Sequence, residues 1–132
     1  MSYELSPMSD VLFSFEGLEV WQKAVDFAKR IMDLSERIEA DHKHSHLIQQ
    51  LEASSAAVAL NIAEGKGRYT KKDLIQFLYH ARGSLYETIT LITIFYKNKW
   101  ISEAQLNETK RFADEIGKML SSQIASARKS II

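Results

Sequence analysis

The chain has no cysteine, a single proline (Pro7), five glycines and no surplus of either charge. Without thiols, disulfides and thiolate zinc centres are excluded, and a reducing compartment is the natural setting. With proline confined to position 7, long stretches run without a breaker, which favours helices over a turn-rich β protein. No apolar run approaches the roughly 18 residues of a membrane span, and the first residues lack the basic-then-apolar order of a secretion signal. A cytoplasmic protein is the expectation. Lysine plus arginine and aspartate plus glutamate both number 17, so the formal charge is zero. Domains that neutralise many phosphates are usually strongly basic, so any nucleic-acid contact here has to be local. Near-zero charge also removes one barrier to self-association.

What is present is 132 residues, 45% of them hydrophobic, enough for one domain with its own core. Residues 1–14 mix Ser, Pro and scattered apolar side chains, and read as a loose arm able to dock through Leu12, Phe13 and Phe15. Four helical patterns follow in a domain spanning 15–128. The first, about Leu18 to Ile38, places Val20, Ala24, Phe27, Ile31, Leu34 and their neighbours on an arc of roughly 160°, wider than the roughly 100° a surface helix needs. The excess, mostly Val20, Phe27 and Leu34, predicts a contact surface beyond the monomer's core. The second helix, about His46 to Glu64, carries Leu47, Leu51, Ser54/Ser55, Val58 and Ile62 among small residues that admit a close neighbour. The third, about Lys71 to Lys97, places Leu74, Leu78, Ala81, Leu85, Ile89 and Ile92 inward, and Gly83 at its centre predicts close backbone packing. Ser102 with Gln105 opens the fourth, whose stripe is Leu106, Thr109, Ala113, Ile116, Leu120 and Ile124 and which is expected to fray from about Ser126, with 129–132 frayed outright. Short links make this an all-α, antiparallel up-down-up-down four-helix bundle.

Between the second and third patterns lies Asn61-Ile62-Ala63-Glu64-Gly65-Lys66-Gly67-Arg68-Tyr69-Thr70, a stop and restart. Two glycines there are expected to supply the positive backbone angles that end a helix, and Thr70 with Asp73 imitates a capping box. Lys66, Arg68, Lys71 and Lys72, with Arg82 further on, form a candidate basic rim for nucleic acid. Asn61, Glu64, Ser84 and Glu87 are a candidate polar network locking the two helices together, or part of a ligand surface at the bundle end. The glycine spacing is no phosphate loop, because it follows a helix and has no strand beside it. His42, His44 and His46 alternate in a polar loop, a spacing that fits no closed structural metal geometry, so solvated histidines or adventitious metal binding are the readings. The chain's single Glu-x-x-His, Glu39 to His42, falls in the polar loop, whereas di-iron chemistry needs one on each of two facing helices, which removes that reading. An enzyme would need Glu64 and Glu87 to meet in a polar pocket; the expectation is a non-enzymatic protein without cofactor.

Three segments carry a resemblance: Phe15-Glu16-Gly17-Leu18-Glu19-Val20-Trp21-Gln22-Lys23-Ala24, then Asn61 to Arg68, then Phe77-Leu78-Tyr79-His80-Ala81-Arg82-Gly83-Ser84-Leu85-Tyr86-Glu87. In order and in register over about residues 15 to 125, the chain resembles the bacterial family of 23S ribosomal-RNA intervening-sequence proteins, a branch of which serves as accessory protein to the reverse transcriptase of diversity-generating retroelements. The resemblance implies an antiparallel four-helix bundle, a ring-like homopentamer, no catalytic activity, and RNA or a nucleic-acid-processing protein as partner; a purely protein-binding adapter is the alternative. It also gives the first helix's wide arc a use, bundle interior on one flank and subunit contact on the other. One departure stands out. Where the family commonly has a basic pair, this chain reads Gln50-Leu51-Glu52-Ala53, which predicts weaker phosphate attraction and a shallower salt dependence.

Overall fold

A computed structural model of the chain describes residues 10–38 and 42–131. Four helices account for most of them, α1 (Glu19–Ser35), α2 (Ser45–Lys66), α3 (Lys71–Lys97) and α4 (Glu103–Lys129), and there is no strand among the described residues. Side-chain pairings fix the directions. Between α3 and α4, Tyr96 meets Glu103, Arg82 meets Ser121 and Tyr79 meets Arg128, so numbers rise on one helix as they fall on the other. Arg30 with Glu108 and Lys23 with Glu115 show the same for α1 and α4, and Ser54 with Thr88 beside Gly65 with Phe77 for α2 and α3. The bundle is therefore antiparallel throughout.

The core is built from the stripes: Leu51, Val58 and Ile62 of α2, Leu78, Leu85, Ile92 and Phe95 of α3, and Ile116, Leu120 and Ile124 of α4 are all buried. Burial in α3 is broader than one stripe, adding Ile75, Thr88 and Leu91, because α3 packs extensively on both α2 and α4. In α1 the wide apolar arc is used within the chain. Val20 and Phe27 are 2% and 1% exposed, so neither can serve the second contact surface expected of them. The arm helps cover this flank: residues Ser14–Gly17 form a 3₁₀ turn that sets the Phe15 ring edge-on to Trp21 at 5.2 Å. Leu34 stays half-buried, in a groove of about 240 Å³ between α1 and α4. Leu12 and Phe13 are exposed; residues 1–9 of the expected arm lie outside the described residues.

The ends of the helices differ from expectation in instructive ways. Helix α2 runs through Gly65, and neither Gly65 nor Gly67 has a positive φ. Gly65 serves packing: a Cβ there would stand 2.9 Å from the Phe77 Cβ, so only a bare backbone lets α3 approach so closely. Gly83, expected to do this, faces outward, and a Cβ at that position would meet nothing within 4 Å. The left-handed residue is Lys99, at φ 64°. Around it Lys99 N–H donates to the Tyr96 carbonyl and Trp100 N–H to the Phe95 carbonyl, both at 2.9 Å, the two bonds of a Schellman motif. The hydrophobic contact that accompanies the motif is Trp100 edge-on to Phe95 at 5.0 Å. Ser102 and Gln105 complete their reciprocal capping box, and Thr70 Oγ1 accepts from Asp73 N–H at 3.1 Å. Helix α4 continues three residues past the expected fraying point because Ala127 is buried and Arg128 is tied to Tyr79.

Candidate nucleic-acid interface

The corner joining α2 to α3 is four residues long, Gly67 to Thr70. Lys66, Arg68, Lys71 and Lys72 are all exposed there, so the structure does gather these four cations. They are not equivalent. Arg68 pairs with Glu64 at 3.3 Å and lies over the Phe77 ring at 4.5 Å, which occupies much of its binding capacity. Among the described residues, Lys66, Lys71 and Lys72 have no carboxylate within ion-pair distance. Lys66 sits in the last turn of α2, where the helix dipole favours a cation. Lys71 and Lys72 occupy the first turn of α3, where the dipole opposes a cation by about 0.3–1 kcal/mol each, partly relieved by Asp73. That local cost serves nothing in the fold.

Tyr69, between these cations, is fully exposed, with its whole ring in solvent. Sequence reasoning passed over it, although an aromatic inside a run of four cations is a visible signal. Arg82 does not belong to this rim: it lies about 15 Å down α3 from Lys72 by helical rise, over the Tyr79 ring at 4.8 Å and within 3.5 Å of Ser121 Oγ.

The proposed network of Asn61, Glu64, Ser84 and Glu87 does not assemble. Asn61 Nδ2 donates to the Ala57 carbonyl of its own helix at 2.8 Å, and Glu64 turns to Arg68. Glu87 meets Gln50 at 3.4 Å, and Gln50 is about 20 Å along α2 from Glu64, so the two carboxylates cannot share a pocket. Ser84 contributes its backbone carbonyl, which accepts from Thr88 Oγ1. Locking of α2 to α3 falls instead to a buried pair, Ser54 Oγ and Thr88 Oγ1, 2.8 Å apart. Glu52, the acidic departure, is engaged too: its carboxylate accepts a hydrogen bond from Ser35 Oγ and ties α2 to α1. On the far side Lys23 reaches Glu115 at 2.7 Å, and that hydrogen bond, ahead of simple charge attraction, raises the Lys23 pKa.

The His44 ring packs on Trp100 at 5.0 Å, and His46 is exposed. No group of three or more potential metal ligands converges among the described residues, and no helix there is long and apolar enough to cross a membrane.

A small all-α bundle with a cationic corner is the class that fold and site define. The sequence profile of the 23S rRNA-intervening sequence protein family matches residues 16–122, and the chain belongs to that family. Among solved structures it is similar to a protein of unknown function from the S23 ribosomal protein family of Bacteroides thetaiotaomicron VPI-5482, at 26% identity and a TM-score of 0.74, over 80% of this chain and 97% of that one. No curated protein matches the chain.

Proposed function

We propose that the chain is a non-enzymatic, cytoplasmic scaffold that assembles into a homo-oligomer, a pentameric ring, and engages structured RNA through its α2–α3 corner. The observation that carries the reading is Tyr69, fully exposed among Lys66, Lys71 and Lys72. A bare aromatic costs solubility and offers no stability, whereas among cations it is a stacking platform for an unpaired base. Repetition around a ring lets individually weak corners act together through effective concentration.

Self-association needs a surface other than Val20 and Phe27. The outward face of α2 supplies one: Leu60 is 67% exposed and its neighbours there are Ala53, Ala56, Ala57 and Ala63, with the Arg68-paired Glu64 one turn on as the nearby charge. The same face also favours the second reading, a protein-binding adapter to a nucleic-acid-processing enzyme, with no direct contact to nucleic acid.

The test is titration of labelled structured RNA over a salt series. The Lys66/Arg68/Lys71/Lys72→Ala variant is expected to bind more weakly and to lose about 3 units from the slope of log affinity against log salt. Equal binding by both proteins, or none by either at low salt, removes the corner as an RNA site. Light scattering checks the ring: a monomer at high concentration ends it.

A further inference from the structure

The corner's cations do not exhaust the aromatic and basic groups on this side of the bundle. Two turns into α3, Tyr79 receives two guanidiniums. Arg82, from the next turn of α3, lies 4.8 Å from the ring centroid, and Arg128, from the last turn of α4, lies 5.5 Å from it. Arg128 Nη2 also donates to the Tyr79 hydroxyl at 2.5 Å, and Arg82 Nη1 to Ser121 Oγ at 3.5 Å. Among the described residues neither arginine has a carboxylate within ion-pair distance. Two unneutralised cations sharing one half-buried ring repel each other, and the arrangement is relieved by an anion between them. Guanidinium forks match phosphate oxygens, and their planes stack on bases.

The helix surface between this cluster and the corner has a matching feature. Lys72, Gln76, Tyr79 and Gly83 recur at helical spacing along one face of α3. Gly83 on that face is exposed and has no neighbour, although glycine in a helix interior is unfavourable. It leaves the backbone bare beside the two arginines, and nothing among the described residues uses the gap.

We infer that a single nucleic-acid strand runs along α3 from the Tyr69 corner to a phosphate clamp formed by Arg82, Tyr79 and Arg128, with Gly83 as the gap that admits the sugar-phosphate backbone. This rests on the RNA reading above and extends it to a second anchor. Lys72 and Tyr79 are two turns, about 10 Å, apart; at about 3.4 Å per stacked nucleotide a strand needs about three nucleotides to reach both, and a dinucleotide falls short.

The experiment uses fluorescein-labelled oligouridylates of about 2 and about 15 nucleotides, the longer within the range of single-strand site sizes, with the full chain and three variants: Arg82→Gln/Arg128→Gln, Gly83→Gln, and the corner variant. Expected is that the clamp variant binds the longer strand at least fivefold more weakly, with the salt slope lower by about 1.4 for two lost phosphates, and binds the shorter strand as wild type does. Gly83→Gln is expected to raise the melting temperature while weakening the longer strand several-fold, a combination that misfolding cannot produce. Wild-type affinity for the longer strand in both the clamp and Gly83 variants overturns the clamp and leaves the corner standing. Loss in the clamp variant without loss in the corner variant keeps the clamp and removes the corner. No binding of either strand by the wild type overturns the clamp, and the structured-RNA titration above then decides the corner on its own.

Discussion

The two corners that frame α3 are built on opposite rules. The α2–α3 corner and the last turn of α2 leading into it hold two glycines and no left-handed residue, while the α3–α4 corner holds a left-handed residue, Lys99, and no glycine. The second is sealed: Trp100 packs edge-on to Phe95 and receives the His44 ring, and the backbone bonds of the Schellman motif close over them. The first is open, with four cations and a bare tyrosine in solvent. Glycine at the open corner is there for what approaches it, α3 in the case of Gly65, and the turn itself is made without left-handed backbone. A corner whose only job is to reverse the chain would look like the sealed one.

This contrast can be broken by substitution. The largest effect is expected for Gly65→Leu, which forces a side chain against Phe77 and should cost about 3 kcal/mol, read as a fall in denaturant midpoint. A neutral result would mean that α2 and α3 can part locally. Trp100→Ala opens the sealed corner; because the ring is half-buried, about 2 kcal/mol is expected, less than for a fully buried aromatic. Lys99→Gly should act in the other direction. Relieving the left-handed strain, against the greater freedom glycine gives the unfolded chain, leaves a gain of about 1 kcal/mol, visible as a higher melting temperature. The smallest effect belongs to the open corner: Tyr69→Ala should shift stability by no more than about 0.5 kcal/mol while weakening RNA binding by a stacking contact. If Tyr69→Ala were as damaging to the fold as Trp100→Ala, the two corners would not differ in kind.

Much of the fold is legible in the amino-acid sequence. The bounds of α3 follow from Thr70 and from the polar Asn98 at its end, and the Ser102–Gln105 box announces α4 because capping is written within four residues. The stripes of α3 and α4 are readable for the same reason, as periodicity is local. What stays hidden is set by contacts distant in sequence. Nothing near Val20 or Phe27 says that the chain's own arm and helices will cover them, and nothing near Arg128 says that it will find Tyr79, 49 residues away. The two misjudged glycines share that origin: a glycine's local signature is the same whether it turns the chain, admits a neighbouring helix at Gly65, or stands bare at Gly83. At the site, the cations of the corner are identifiable by composition, but their inequality, with Arg68 held by Glu64 and Phe77, is not.

The Ser54–Thr88 pair has a consequence for all of this. Each hydroxyl also points at a carbonyl of its own helix, Ser54 at Leu51 and Thr88 at Ser84, so the two oxygens share their protons among three acceptors in a dry interior. Sliding α2 against α3 by even one residue would break the bond between them and leave each hydroxyl only its own helix's carbonyl, at about 0.5–1.5 kcal/mol. The pair therefore works as an alignment pin. By holding the two helices at one setting, it keeps Leu60 on α2 and Arg82 on α3 at a constant offset from copy to copy, like the spacing of teeth on a key.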